Sequence, residues 1–438
     1  PLLSSGSAFQ KSCIVGVTTA RNVAAAPVAG APLLAIAGHH RLDFRHEEPI
    51  RSGDVIEMTE QYTKWSAEIR DVSAIPTMVR RAVRTALTPP TGPVFLGLPL
   101  DQMLAETDAD PERLGTIPDA GRGDPAQVAR AAEELVAAED VTMVVGDGVA
   151  RSGYDAVDAA VDLAEAAGAR VHGEVLACEI DFPTDHDQWV SYIPPDGDLA
   201  RTLMSADTLC FVGCSTNTTL VRHEGSLVSG DTTCVHISDD AYEVGKNQPA
   251  DAAVVGDPGR VMSELADIVR EDLDDQTRQA RLETLAAQKE CVAAKVEEMG
   301  VDEAPDDPRA SKAELVDAMS DVVPDAYIVD EGITSKYPLL LRYDMEPEQF
   351  ISNKGGGLGY GLPASVGAAL AESMTDDPRD VIGYIGDGSY LYYPHSIYSA
   401  TRMDLALTVV ISDNSNYRIL KDNTQTLFAG DDDDHEHV

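Results

Sequence analysis

The stretch that most constrains the fold is Gly386-Asp387-Gly388-Ser389, with Asn414-Ser415-Asn416 following further down the chain. Val381-Ile382-Gly383-Tyr384-Ile385 is a short apolar run that ends in the glycines, the pattern of a buried strand feeding a tight turn. Tyr390 to Thr401 reads as a helix, and Leu405 to Ile411 as a second buried strand ending at Asp413-Asn414. Such a unit leaves an acid at the end of one strand and an amide at the end of the next. In a parallel sheet both ends open on the same edge, where ligands bind. There a carboxylate, an amide oxygen and a backbone carbonyl can meet as hard oxygen ligands for Mg²⁺ and leave room for phosphate oxygens. The bland alternative is an ordinary crossover with glycine turns, because a motif is only a hypothesis until its context is met.

The flanks supply context. Glu331-Gly332-Ile333-Thr334 follows the apolar run Tyr327-Ile328-Val329, and Gly355-Gly356-Gly357-Leu358-Gly359-Tyr360-Gly361-Leu362-Pro363 leads into an Ala/Gly-rich helix. With the Gly-Asp-Gly and its downstream Asn, these segments resemble the C-terminal domain of thiamine diphosphate (ThDP) enzymes, in the superfamily of 2-oxo acid decarboxylases and acetolactate synthases. Within it the pattern resembles the benzoylformate decarboxylases. Thr63-Lys64-Trp65-Ser66, Gly92-Pro93-Val94-Phe95-Leu96 and Phe182-Pro183-Thr184-Asp185-His186 have look-alikes at the corresponding places, so the resemblance covers most of the chain from Ala31 onward.

The resemblance implies an α/β protein of three Rossmann-like domains with parallel sheets. Residues 1–104 would form a pyrimidine-binding domain, 105–124 a linker, 125–270 a central Rossmann-like domain, 271–311 a second linker and 312–438 the diphosphate-binding domain. Patterning agrees with that division. Pro32–Gly38 and Val94–Leu98 read as strands around a helix at Ile75–Leu87, and a helix over 125–138 precedes strands at Val141–Val145, Leu209–Val212 and Thr233–Ile237. Residues 271–311 are highly charged, helical in pattern and then Pro/Asp-rich, as in a connector. Gly146-Asp147-Gly148 repeats the glycine tripeptide without an Asn at the matching distance, and reads as a turn only.

The resemblance also implies roles. Asp387, the Asn414 side chain and the Asn416 carbonyl would hold Mg²⁺ against the cofactor diphosphate, with Gly386 in the turn. Gly388 and Ser389 would contact phosphate oxygens through backbone N–H groups. Ile333 and Thr334 would lie beside the diphosphate and Gly356 beside the aminopyrimidine. Leu358 would be the bulky wedge that folds the cofactor, against the alternative of plain core packing. Tyr417 and Arg418 follow the metal loop and are candidates for lining the site. The implied reaction is addition of the cofactor ylid to a 2-oxo acid and loss of CO₂.

Two departures stand out. The segment up to Arg21-Asn22 is short for the family, and its activating Glu has no clear counterpart. One alignment puts Lys11 there; another makes Cys13–Thr19 the later strand and loop. The family's proton-shuttling histidines are also hard to place. The loop Val15–Thr19 has no His, and His223 falls near one expected position but reads equally as an exposed loop residue. His39-His40 follows a strand end and could face an interface or solvent, while His435 and His437 sit in an acidic tail that stops before the family's last strand and helix. Both ends thus read as truncated relative to the family.

Composition bears on surroundings and partners. The chain of 438 residues carries 75 acidic against 33 basic side chains, a net charge of −42. Charge on that scale repels itself at low salt and is a lever used by halophiles. With scarce lysines and 5% aromatics, it points to a high-salt, haloarchaeal-type cytoplasm. It argues against nucleic acid and anionic membranes as partners. There is no membrane-spanning apolar run and no signal-peptide pattern. Cys13, Cys178, Cys210, Cys214, Cys234 and Cys291 are scattered and read as buried or reduced thiols rather than a zinc site.

Three functions follow. The first is a ThDP- and Mg²⁺-dependent decarboxylase of a small-molecule 2-oxo acid, of benzoylformate type. The second is a carboligase such as acetolactate synthase, or an oxalyl-CoA type lyase; acetolactate synthases usually add an FAD site in the middle domain, and no fingerprint for one is visible between Gly146 and Asp257. The third is a non-catalytic ThDP-binding homologue. The family's active sites lie between subunits, which implies a homodimer or homotetramer.

Overall fold

The computed structural model describes residues 26–50, 52–195, 197–215, 218–219, 222–300 and 309–428, and side chains throughout these except at 295–300 and 425–428. The expectations for Lys11, Cys13, the Val15–Thr19 loop, His435 and His437 concern residues outside these ranges. The chain forms two compact units. One runs to Ala120 and includes Asn353–Gly357; the other comprises Gly121–Ser352 and Leu358–Val438. Each of the three sheets is wholly parallel.

The first unit holds a three-stranded sheet of β1 (Leu34–His39), β2 (Trp65–Glu68) and β3 (Val94–Pro99) in the order β1-β3-β2. Val94 and Leu96 of the central strand are fully buried, packed with Ala82 and Ala86 of the helix Ile75–Leu87.

In the second unit a six-stranded sheet comprises β4 (Val141–Val145), β5 (Arg170–Gly173), β6 (Trp189–Tyr192), β7 (Thr208–Val212), β8 (Thr233–Ser238) and β9 (Ala252–Val255). Their order, β6-β5-β4-β7-β8-β9, reverses between β4 and β7, the switch point of a doubly wound sheet. Local sequence explains the helices around it. The helix Pro125–Ala137 starts where the Asp124 carboxylate accepts a bond from Ala126 N at 2.8 Å, with Pro125 in the first turn. It buries Val128, Ala131, Ala132 and Leu135 at helical spacing. Gly259 lets the helix Pro258–Asp272 approach its neighbour Tyr154–Ala167, since a Cβ there would stand 2.7 Å from Ala156 Cβ. The segment 271–311 is more than a spacer. It forms the helices Asp275–Leu282 and Leu285–Gly300, and buried Arg281 donates to Ala167 O at 2.7 Å and Ala138 O at 2.6 Å. One guanidinium thus takes up carbonyls left open at two helix ends.

The same unit carries a four-stranded sheet of β10 (Tyr327–Glu331), β11 (Phe350–Ile351), β12 (Val381–Gly386) and β13 (Thr408–Ser412), in the order β11-β10-β12-β13. Ile328, Val329, Tyr384 and Ile385 are completely buried. Two expectations need correction here. The helix expected from Tyr390 to Thr401 is split into Asp387–Tyr390 and Ser396–Arg402. Pro394 has no N–H to continue a helix, and its ring crowds the preceding turn. The strand expected from Leu405 begins at Thr408, after a turn in which Asp404 has φ 54°, and is paired with β12 from Ile382 onward. No helix among the described residues is long and apolar enough to cross a membrane.

Candidate active site at the edge of the C-terminal sheet

The pairing of Gly386 with Ser412 brings the C-terminal ends of β12 and β13 level on one edge. Asp387 is the next residue after one strand, and Asn414 lies two residues past the other. Both are half-buried, and Ser389 is buried beneath them. Two side-chain turns shape the loop after β13. Asp413 Oδ1 accepts bonds from Ser415 N at 2.8 Å and Ser415 Oγ at 3.0 Å, and Asn414 Oδ1 accepts one from Asn416 N at 2.9 Å. Tyr417 is largely exposed, with Cε1 3.9 Å from the position a Cβ on Gly388 would take. The short helix Asp387–Tyr390 packs beside β13 and the helix Gly361–Glu372, and the helix Arg418–Phe428 packs beside the turn Ile333–Ser335. Ile333, Thr334, Gly386, Asp387, Gly388, Ser389, Asn414, Asn416 and Tyr417 therefore belong to one neighbourhood. Leu358, half-buried, joins it through Gly359, which packs on Tyr392 and Tyr393 just past the Asp387 helix.

Gly356 is exposed with φ 64° and precedes Leu358 by two residues. His223 sits in a loop of the central sheet, its Nδ1 2.9 Å from Gly225 O and its Cβ against Gly197. His39 of the first unit is already engaged, with ring nitrogens 3.1 Å from Glu68 Oε1 and 3.0 Å from Gly53 O, and His40 Nε2 is 3.1 Å from Ile50 O. Burial alone would raise the Glu68 carboxyl, but Arg45 and His39 hold it below its ordinary range.

The acids that end β10 do not stand out in the sequence as separate functional side chains. Glu331 is buried, and its carboxylate accepts bonds from Gly359 N at 2.6 Å, Tyr360 N at 3.1 Å and Gly361 N at 2.6 Å. Burial pushes this carboxyl above its ordinary range, more than the three N–H groups pull it down. Bonds to an ionised acceptor contribute about 1.5–3 kcal/mol each. Asp330 accepts from Gly332 N and Ser352 Oγ, both at 2.8 Å. Buried Lys336 donates to Ala177 O at 2.6 Å and Ser352 Oγ at 2.9 Å, and its Nζ lies 3.9 Å from Asp330 Oδ2. The available signal is a strand whose apolar run closes on two adjacent acids. Past the intervening Gly332, Ile333 has φ 34°, a strained conformation for a β-branched residue.

The other Gly-Asp-Gly has a structural task. Asp147 is buried, and its Oδ1 accepts from Cys178 N at 2.7 Å and Glu179 N at 3.3 Å. Glu174, also buried, accepts from Asp147 N and Ser215 N, both at 2.9 Å. The Gly148 and Gly213 backbones touch, so a Cβ on Gly148 would stand 2.7 Å from Gly213 Cα. Backbones and buried acids thereby meet at the ends of β4 and β7. Half-buried Glu179 is pushed up to about 8 by removal from water and by the charge of Asp147, against Arg151.

The donors at the β12–β13 edge suit the implied cofactor. One carboxylate, one side-chain amide oxygen and one backbone carbonyl form a hard oxygen set, the kind that holds Mg²⁺ together with phosphate oxygens and water. Among the described residues no group of three or more His, Cys, Asp or Glu could hold a metal. This edge needs only Asp387 from that set.

Residues 128–265 match the family "Thiamine pyrophosphate enzyme, central domain", and residues 334–437 match "Thiamine pyrophosphate enzyme, C-terminal TPP binding domain". The chain belongs to the ThDP-dependent enzyme superfamily that covers decarboxylases and acetolactate synthases. Its cofactor is thiamine diphosphate, and Mg²⁺ is the metal typical of the family. The chain is similar to benzoylformate decarboxylase of Pseudomonas aeruginosa, 28% identical over 395 residues that cover 89% of this chain and 70% of that protein. It is also similar to a probable acetolactate synthase large subunit of Methanocaldococcus jannaschii, 24% identical over 431 residues, covering 95% and 70%. Among solved structures, the ThDP-dependent 4-hydroxybenzoylformate decarboxylase of Rhodococcus jostii RHA1 aligns at TM-score 0.76 and 25% identity, over 94% of this chain and 75% of that one.

Proposed function

We propose that the protein is a ThDP- and Mg²⁺-dependent 2-oxo acid decarboxylase acting non-oxidatively on a benzoylformate-like substrate. The observation that carries this reading is the shared edge of β12 and β13, where Asp387 and Asn414 stand at level strand ends beside the Ile333 turn and the Leu358 loop. The benzoylformate decarboxylase similarity over 89% of the chain supports the substrate class. Bound thiamine diphosphate supplies the centre that takes up the electron pair released when CO₂ departs. Asp387, Asn414 Oδ1 and the Asn416 carbonyl would hold the metal, and Asn414 would exchange its local bond from Asn416 N for that role. The Gly388 and Ser389 N–H groups would face phosphate oxygens. Leu358 would be the bulky wedge that folds the cofactor, and Ile333 would stand beside its diphosphate as an apolar wall. Loss of CO₂ neutralises charge, so apolar walls favour it over the charged ground state.

A carboligase of the acetolactate synthase type is the second reading, supported by the M. jannaschii similarity. The buried acids at the switch point of the central sheet weigh against it, because the FAD site usual in those enzymes must tolerate phosphate charge, which Asp147 and Glu174 do not favour. A non-catalytic ThDP-binding homologue is the third. On the decarboxylase reading the working form is a homodimer or homotetramer, and the aqueous surroundings are a salty cytoplasm. The test is turnover in concentrated KCl with ThDP and Mg²⁺, offering benzoylformate and pyruvate and identifying products by mass. Benzaldehyde with CO₂ is expected. Acetolactate would move the assignment to the carboligase, and no CO₂ from either substrate would sink the decarboxylase reading for both.

A further inference from the structure

The Glu331 carboxylate belongs to neither the metal set nor the phosphate set at the β12–β13 edge, yet it has the densest set of bonds near that edge. It is 3% exposed and accepts three consecutive backbone N–H groups, from Gly359, Tyr360 and Gly361. The segment it grips begins directly after Leu358. Gly361 can lie this close only because it lacks a Cβ, which would stand 2.8 Å from Glu331 Cβ, and Gly359 holds φ 94° where a side chain would be strained. On its other side Glu331 is covalently tied to the second cofactor-facing turn. Gly332 follows it, tethered to Asp330 Oδ1 at 2.8 Å and closed in by Ser335 Oγ and Tyr384, and the next residue is the strained Ile333.

We propose that Glu331 is a positioning residue for the cofactor, fixing the Leu358 loop through its side chain and the Ile333 turn through its backbone. Both segments are thereby set relative to each other before any ligand arrives. The role assigned to Leu358 and Ile333 rests on the functional reading above; the clamp itself does not. Three donors converge on two acceptor oxygens, two on Oε1 and one on Oε2, so both oxygens must accept for the clamp to hold. Glu331→Gln removes one acceptor and points an amide N–H₂ at a backbone N–H. Glu331→Asp keeps the charge but shortens the reach by one methylene.

Both variants would be compared with wild type and with Ser311→Ala, which removes the capping box at the start of the helix Lys312–Val322 and controls for general destabilisation. Hydrogen exchange of the ligand-free protein reads the clamp. We expect at least tenfold faster exchange over 358–362 in Glu331→Gln, with no such change in Ser311→Ala. Titration of thiamine diphosphate with Mg²⁺ reads the positioning. We expect at least tenfold weaker binding in Glu331→Gln, a smaller loss in Glu331→Asp, and an altered near-ultraviolet circular dichroism of the bound cofactor. Unchanged exchange over 358–362 would overturn the clamp. Faster exchange with cofactor affinity and spectrum like those of Ser311→Ala would overturn positioning and leave Glu331 a helix-end anchor. A wild-type protein that binds no thiamine diphosphate would sink the functional reading and the positioning role together, while the exchange data would still decide the clamp.

Discussion

Asp147 and Asp387 occupy the same tripeptide, Gly-Asp-Gly, after parallel strands, and they do different things. Asp147 is fully buried and ties down the Cys178-Glu179 turn; Asp387 stays half-buried on an edge it shares with Asn414. The missing downstream Asn was legible in the sequence. That the first Asp would collect backbone N–H bonds was not, because its donors lie in a loop past the next strand. Burial, together with the Asp147 charge, makes Glu179 reluctant to ionise, at about 8 against an ordinary 4.5. The folded chain therefore keeps a proton that the unfolded chain releases. That contribution to stability is complete below the unfolded value and is lost as pH rises through the interval up to about 8. Glu179→Gln should flatten this decline and stabilise the protein by about 1–2 kcal/mol at pH 9 relative to wild type. Denaturant titrations at pH 5 and pH 9 would show it; identical pH dependence in the two proteins would contradict it.

At the level of elements, long regular patterns were legible and interruptions were not. The helix Ile75–Leu87 and the strand Val141–Val145 have the limits that their periodicity predicts. The helix after Asp387 fails at Pro394, a signal present in the sequence but outweighed by the apolar spacing around it. The bond from Lys336 to Ala177 O was invisible, because it joins positions far apart in the chain across the interior of the second unit. This element-level tie is directly testable. Lys336→Met leaves buried Asp330 without its cation and should cost about 3–5 kcal/mol in urea unfolding. Adding Asp330→Leu should recover part of that loss, since removing both charges removes the uncompensated one. A single-variant loss below about 1 kcal/mol would show that the pair is not what holds β10 to the central sheet.

For the whole molecule the largest influence is charge. A net −42 spread over 438 residues destabilises any compact state through self-repulsion. Salt shortens the reach of that repulsion from about 30 Å at 0.01 M to about 3 Å at 1 M. The thermal midpoint should therefore climb steeply over that range of KCl, and a flat or falling midpoint in a salt series would contradict the electrostatic account. The sheets were legible at this scale because each is a run of apolar segments at regular intervals; the candidate site was legible only where a motif coincided with paired strand ends. On the proposed function, the β12–β13 edge holds the diphosphate of the cofactor through a metal. The most direct measurement is calorimetric titration of thiamine diphosphate into wild type and Asp387→Ala, each with Mg²⁺ and with chelator. Binding should require Mg²⁺ and weaken at least about tenfold in the variant. Binding equally tight in Asp387→Ala, or indifferent to the chelator, would contradict it.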